Sequence, residues 1–190
     1  MGTRRTFLSA SIAAAAMAGA GIPAGAEQLG DRGPGKPVKP QPPDPELRAI
    51  LREVDERRIE AIVRKLASFG TRHTLSSQDD PVRGIGAARD WILAEMSKSA
   101  NDRMTVALQS YIQPPAPPRI PEAVRITNVV ATLRGSVTPE RVYVVSGHYD
   151  SRCTDPNDFT NDAPGADDDA SGVAVAMELA RIMSKRRPES

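Results

Sequence analysis

The sequence of 190 residues contains little cysteine, few aromatic residues and almost no net charge. Cys153 is its only cysteine, so the chain cannot contain an internal disulfide. Its 25 basic and 24 acidic residues leave a formal net charge of +1, which excludes the strong basic field that attracts nucleic acids or anionic membranes. Aromatic residues make up 4% of the chain and prolines number 17, which predicts a single domain with one modest core and long irregular stretches.

Residues 1–26 have the features of an export signal. The segment Arg4-Arg5-Thr-Phe-Leu8 leads into the apolar stretch Phe7 to Gly21, and Ala24-Gly25-Ala26 supplies the small-x-small pattern that signal peptidases cut. The apolar stretch is short and weakly hydrophobic compared with the roughly 20 residues of a membrane span, so we expect no stable membrane anchor after cleavage. The twin arginines resemble a bacterial Tat signal, which predicts a periplasmic or extracellular location.

Residues 27–45 are predicted to form a linker, because six prolines between Pro34 and Pro45 favour extended, unpacked backbone. Residues 46–190 are expected to fold. Apolar spacing and β-branched runs predict a helix from Pro45 to Gly70 with Asp44 as its N-cap, a helix over 82–97, strands over 104–112, 126–133 and 141–146, and a helix over 170–185. This order predicts an α/β domain whose site lies at the carboxyl ends of the strands.

A histidine and an aspartate follow the last predicted strand, in the run Val142-Tyr-Val-Val-Ser-Gly-His148-Tyr-Asp150. Side chains two residues apart on an extended chain point to the same side. A histidine that binds a metal usually donates its other ring N–H to a carboxylate, which fixes its tautomer. We therefore predict that His148 is a metal ligand and that Asp150 orients it.

Three consecutive carboxylates, Asp167, Asp168 and Asp169, precede the last predicted helix. Free backbone N–H groups and the helix dipole favour negative charge at this end of a helix. Either motif alone is commonly an ordinary hydrogen-bonded pair or a solvated turn. Because the two occur together, about twenty residues apart with a Pro-Gly turn between them, the sequence favours a metal site that includes one of these carboxylates.

Two further residues have side chains that can bind zinc. Cys153 lies five residues after His148 and His73 lies in a loop after a helix. A loop thiol and an ordinary loop histidine are the simpler interpretations, so we expect neither residue to be a ligand.

These segments resemble the zinc aminopeptidases of peptidase family M28. The resemblance rests on Ser146-Gly-His-Tyr-Asp-Ser151, on Asn161-Asp-Ala-Pro-Gly-Ala-Asp-Asp-Asp-Ala-Ser-Gly172 and on the helix that follows, and it extends more weakly upstream to about Leu47. It implies that His148 binds one zinc ion, that Asp150 supports His148 and that Asp168 is the metal-bridging aspartate. It also implies a cis peptide bond between Asp168 and Asp169. The implied fold is a mixed-sheet α/β/α sandwich of the zinc-exopeptidase type, of which residues 46–190 would be the amino-terminal part.

The function that this resemblance implies is hydrolysis of amino-terminal peptide bonds by a water activated between two zinc ions. Peptides are the expected substrates. Family members carry a Glu-Glu pair, an aspartate and a histidine beyond the last helix, and the sequence stops at Ser190, so we expect these residues to carry only part of the site.

Two alternatives remain open. Glutaminyl cyclases resemble this family in fold and use one zinc ion for acyl transfer, but they have a small residue where this chain has Asp169. The other alternative is an inactive, truncated product.

Overall fold

A computed structural model describes residues 42–190, so the predicted export signal and residues 27–41 of the predicted linker lie outside the described part of the chain. Within residues 42–190 the elements, in chain order, are α1 (Pro45–Arg52), α2 (Glu56–Ala67), α3 (Gly84–Ser97), β1 (Met104–Gln113), β2 (Val124–Leu133), a single π-helical turn (Ala166–Ala170) and α4 (Ser171–Met183). The remaining residues connect these elements.

The first predicted helix is divided into α1 and α2. Asp44 caps α1 as predicted, because its carboxylate accepts hydrogen bonds from the backbone N–H groups of Glu46 and Leu47. A second cap begins α2, where the Asp55 carboxylate accepts from the backbone N–H groups of Arg57 and Arg58 at 3.0 and 3.2 Å. The prediction of one continuous helix to Gly70 was wrong because the apolar spacing continues across this cap.

The core lies where α2, α3 and α4 meet. It is formed by apolar side chains from the three helices and from the segments that directly follow α2 and precede α4: Ile62, Leu66, Phe69, Ala87, Ala88, Ile92, Ala170, Val173, Ala174 and Met177. The buried face of α4 includes the charged Glu178, whereas the apolar Val175 is exposed. Charged residues are passed over when a buried face is assigned by hydrophobicity alone.

The sheet consists of β1 and β2, which pair antiparallel from Met104 opposite Leu133 to Gln113 opposite Val124. A ten-residue connector that begins with a Pro-rich segment joins the two strands, so they are not linked by a tight hairpin turn. The third predicted strand, 141–146, does not form within the described chain. Its apolar side chains are 57 to 81% exposed over Val142, Tyr143, Val144 and Val145. A strand needs a neighbour for its backbone hydrogen bonds, and no such neighbour is present among residues 42–190.

The structure confirms the α/β class, with a small open sheet and four helices in residues 42–190. The three-layer sandwich of the zinc-exopeptidase type stays a prediction. None of the helices in this part of the chain combines the length and the apolar composition that crossing a membrane requires.

Candidate functional site

The segment that carries His148 lies against the start of α4. Gly147 makes this approach possible, because a Cβ atom at that position would lie 2.4 Å from the backbone nitrogen of Val173 and 2.5 Å from the carbonyl carbon of Gly172. The backbone of residue 147 is therefore in direct contact with the first turn of α4. This contact brings His148 beside the three carboxylates that precede the helix.

His148 bridges two of the predicted site residues. Its Nδ1 atom lies 3.1 Å from Oδ1 of Asp150, and its Nε2 atom lies 3.0 Å from Oδ1 of Asp168. All three side chains are about half exposed or more, so the site is open to solvent. The three residues singled out from the sequence thus converge on one imidazole ring, with one carboxylate at each ring nitrogen.

Asp169 has a different role from its neighbour. Its Oδ2 atom accepts a hydrogen bond from the backbone N–H of His148 at 3.0 Å, and its Oδ1 atom accepts one from the backbone N–H of Gly172 at 3.0 Å. The peptide bond between Asp168 and Asp169 is cis, as expected. Asp169 therefore ties the histidine segment to the first turn of α4, while the side chain of Asp168 faces the imidazole.

The carboxylates around His148 change its affinity for protons. Partial burial is the largest single influence and by itself lowers the pKa of His148. The negative charge and hydrogen bond of Asp150, together with the charge of Asp169, outweigh burial and raise the pKa above its ordinary value of 6.5. The site thus favours a positive charge at the position of the imidazole, as expected where several carboxylates surround one ring.

A cleft of about 270 Å³ opens beside the site and is lined by His148 and Asp150 together with polar residues of other segments, among them Gln78, Arg125 and Asn128. Tyr149 lies between the two site residues, and its hydroxyl donates a 2.6 Å hydrogen bond to the carbonyl oxygen of Thr127 on β2. The cleft therefore runs between the histidine segment and the start of β2. It offers polar groups next to the imidazole.

His73 and Cys153 are engaged elsewhere. Nδ1 of His73 accepts a hydrogen bond from the backbone N–H of Leu75 at 3.0 Å, so Nε2 is the nitrogen that donates to the carbonyl oxygen of Pro156 at 3.1 Å. The thiol of Cys153 lies 3.6 to 3.7 Å from carbonyl oxygens of the following loop. In residues 42–190 no three His, Cys, Asp or Glu side chains are grouped so that they could hold a metal ion.

Sequence reasoning missed two residues that shape the site, Arg72 and Asp169. A carboxylate that accepts from the N–H three residues ahead is typical of helix starts, so the position of Asp169 before α4 carried a signal. Arg72 carried none, because an arginine in a short polar segment ordinarily lies at the surface. The structure instead buries Arg72 completely beneath the segments of His148 and Asp168.

The similarity to known proteins includes the residues of this site. Residues 128–190 match the model of peptidase family M28. A probable zinc metalloprotease of Leptosphaeria maculans is 63% identical over 156 residues, which cover 80% of this chain and 36% of the relative. Probable zinc metalloproteases of Pyricularia oryzae and Pyrenophora teres f. teres are 60% and 57% identical over 157 and 159 residues, or 81% and 82% of this chain and 31% and 33% of the relatives.

These relatives correct one prediction. They are fungal proteins, so the expected bacterial Tat signal and the periplasmic or extracellular location derived from it were wrong. Twin arginines before an alanine-rich stretch are a short and common pattern, and here they misled the assignment.

The chain spans about a third of the length of the curated relatives it matches. The family match nevertheless runs from Asn128, within β2, past the end of α4 and therefore includes His148, Asp150 and Asp168. On the family model and the three fungal relatives together, the chain belongs to peptidase family M28.

Proposed function

We propose that the protein is a zinc-dependent aminopeptidase, in which His148 and Asp168 are metal ligands and Asp150 orients His148. The observation that carries this proposal is the imidazole of His148 held between two carboxylates, with Asp150 at Nδ1 and Asp168 at Nε2. Relatives named probable zinc metalloproteases support the metal and the class of reaction.

The donor atoms fit zinc. Imidazole nitrogen and carboxylate oxygen are common zinc ligands, with bond lengths of about 2.0–2.2 Å and tetrahedral angles, so two such ligands lie about 3.3–3.6 Å apart. Nε2 of His148 and Oδ1 of Asp168 are 3.0 Å apart, close to that separation. Both side chains also face solvent, where a metal ion and a substrate have access.

Asp150 and Asp169 would prepare His148 for this role. A hydrogen bond between Asp150 and Nδ1 puts the proton of the neutral ring on Nδ1 and leaves the lone pair of Nε2 directed at Asp168. Asp169 holds the backbone of the same residue, so that both the main chain and the ring of His148 are fixed. Two carboxylates, one bound to the ring and one to the backbone N–H, thus set the position of one donor atom.

Held by His148 and Asp168, a zinc ion would act as a Lewis acid toward the scissile carbonyl and would lower the pKa of a bound water. The chain itself contributes the surface on which a peptide would lie, and the polar cleft beside His148 is the nearest candidate. Cleavage at the amino terminus and the use of two zinc ions rest on the resemblance to M28 aminopeptidases. The remaining ligands would have to come from outside residues 42–190, since no third side chain joins the pair there.

The test is zinc-dependent release of amino acids from aminoacyl-anilides by the full-length gene product, compared with release from the same substrates carrying an acetylated amino group. We expect activity on the free amines alone. His148→Ala and Asp168→Asn should each lower kcat/KM by about a hundredfold or more, because the first removes a ligand and the second replaces a charged carboxylate ligand by a neutral amide.

Asp167→Asn is the matched control. Asp167 is the adjacent exposed carboxylate, and its backbone carbonyl, rather than its side chain, accepts the hydrogen bond from Ser171. This variant should retain wild-type activity. Unchanged activity in both ligand variants would refute the assignment of the site, and equal cleavage of acetylated substrates would refute the aminopeptidase specificity.

A further inference from the structure

Arg72 has 0% of its surface exposed and donates hydrogen bonds to four backbone carbonyl oxygens. Nε donates to Tyr149 at 2.7 Å, Nη1 to Leu66 at 2.9 Å and Pro164 at 2.7 Å, and Nη2 to Gly165 at 2.9 Å. Burial is the main influence on this guanidinium and lowers its pKa, while the charge of Asp150 opposes that effect. Arg72 thus uses four of its five N–H groups on the main chain.

These carbonyls belong to the two segments of the proposed metal site. Tyr149 lies between His148 and Asp150, whereas Pro164 and Gly165 immediately precede the turn that carries Asp168. One planar guanidinium therefore contacts both segments, and through Leu66 it joins them to the end of α2.

The backbone of Arg72 adds a second bridge through Ser151. The N–H of Arg72 donates to Oγ of Ser151 at 3.0 Å, and that hydroxyl donates to the carbonyl oxygen of Ala163 at 2.6 Å. The N–H of Ser151 in turn donates to the carbonyl oxygen of Arg72 at 3.2 Å. Residues 149–151 and 163–165 are therefore held together on both sides of the same arginine.

Neither segment has regular secondary structure that would satisfy its carbonyl groups. A buried carbonyl without a hydrogen-bond partner is destabilising, so the loops need a donor at this point. The guanidinium offers five N–H groups in a fixed plane, whereas lysine offers three on one atom and cannot reach separate carbonyls in the same way.

We propose that Arg72 is the positioning residue of this site, fixing the separation of His148 and Asp168 through the main chain of the two segments. The proposal rests on the proposed function, because it assigns Arg72 a role in zinc binding. Arg72 hydrogen-bonds to neither the His148 nor the Asp168 side chain and acts only through the backbone of the segments that carry them.

The test compares Arg72→Lys with the control Arg83→Lys in the full-length gene product. Arg83 also binds the loop before the site, through Asp162 at 2.6 Å and the carbonyl oxygen of Thr160 at 2.7 Å, but it makes no hydrogen bond to 149–151 or 163–165. For each variant we would measure the Kd for zinc, the melting temperature and hydrogen exchange of residues 147–151 and 163–170.

We expect Arg72→Lys to weaken zinc binding by about tenfold to a hundredfold, the usual effect of losing a residue that orients ligands. Exchange should become faster in both segments, and excess zinc should restore peptidase activity at temperatures well below melting. Arg83→Lys should bind zinc like the wild type. A residue with a purely structural role would lower the melting temperature without the loss of zinc affinity or its rescue by excess metal.

Ser151→Ala covers the case in which Arg72→Lys does not fold. It removes one bridge between the same segments without disturbing the buried charge, and should weaken zinc binding about fivefold, the equivalent of one hydrogen bond. Wild-type zinc affinity in a folded Arg72→Lys variant, or in Ser151→Ala when the lysine variant is unfolded, would overturn the role of Arg72 and leave the proposed function intact. Failure of the wild type to bind zinc would overturn both.

Discussion

Glu178 joins α4 to the start of α2, and its replacement by glutamine should destabilise the protein more than replacement of an exposed glutamate. Glu178 is 2% exposed. Its Oε1 atom accepts hydrogen bonds from the backbone N–H of Asp55 at 2.9 Å and from Nη2 of Arg181 at 2.6 Å. Its Oε2 atom accepts one from Nε of Arg181 at 2.9 Å and lies 3.2 Å from Nε of Arg58. Glutamine has the same shape, but its amide N–H groups would face arginine N–H groups.

The magnitude follows from these contacts. Removing one partner of a buried ion pair costs about 3–5 kcal/mol, because the other partner keeps an uncompensated charge. The side chains of Arg58 and Arg181 are 29% and 24% exposed, so water can partly solvate them after the substitution. We therefore expect Glu178→Gln to lower the free energy of unfolding by about 2–3 kcal/mol and the melting temperature by about 5–10 °C.

Glu60→Gln is the control for this prediction. Glu60 pairs with Arg64 on α2 at 2.6 Å, the same distance as the shortest contact of Glu178, but both side chains are well exposed. An exposed pair of this kind is worth about 0.5 kcal/mol or less. Thermal and urea unfolding of the two variants would compare them, and equal destabilisation would refute the argument that burial determines the effect.

The same pair of variants has a defined pH dependence. The pKa of Glu178 is lower than its ordinary value of 4.5, and hydrogen bonds from Arg181 are the largest cause. Burial opposes this effect, whereas the hydrogen bond from the Asp55 N–H and the charges of Arg181 and Arg58 lower the pKa further. Because the folded-state pKa is lower than the unfolded one, this stabilisation is present above about pH 4.5 and is lost as the pH falls through the folded pKa. The difference in unfolding free energy between the wild type and Glu178→Gln should therefore shrink in acid, and a constant difference would contradict the assigned charge.

Two further predictions concern the site segments. Gly165→Ala should destabilise the protein by about 1–3 kcal/mol in urea unfolding. Gly165 has φ +46°, and a Cβ atom there would lie 2.7 Å from the carbonyl oxygen of Asp168. Unchanged stability would contradict this close contact. Tyr149→Phe should cost about 1–2 kcal/mol at neutral pH, since it leaves the carbonyl of Thr127 without its donor. Burial is the main cause that raises the pKa of Tyr149 to about 12, so the stabilisation by its neutral form is present below pH 10 and is lost as the pH rises to 12. Unfolding measured between pH 8 and 12 should show this loss in the wild type and not in the variant.

Local patterns predicted the elements whose causes are local. Asp44 caps α1 as predicted, because a cap depends only on nearby residues. The division between α1 and α2 was missed although the Asp55 cap is local, because the apolar spacing continues across it; the hydrogen bond from the Asp55 N–H to Glu178 is a long-range contact that this spacing does not reveal. The run 141–146 has strand composition, but the sequence of that run alone does not supply a neighbouring strand.

The site shows the same contrast. His148, Asp150 and Asp168 were chosen from two short motifs, and the structure brings them together within hydrogen-bonding distance. Their roles as metal ligands stay a proposal. Arg72 was not chosen, because its importance depends on carbonyl groups that lie 6 to 93 positions away in the sequence. Local composition carries no information about such a set of contacts.

Three identical residues in a row, Asp167, Asp168 and Asp169, look interchangeable in the sequence, yet each has a distinct environment. Asp169 binds two backbone N–H groups, Asp168 faces the imidazole and the side chain of Asp167 is exposed. Deleting any one of them would leave two aspartates but would shift the others along the turn and separate each carboxylate from its partners. The backbone conformation at each position, rather than residue type, therefore distinguishes these carboxylates. A sequence comparison that counts aspartates without regard to their exact positions would treat a disrupted site as an intact one.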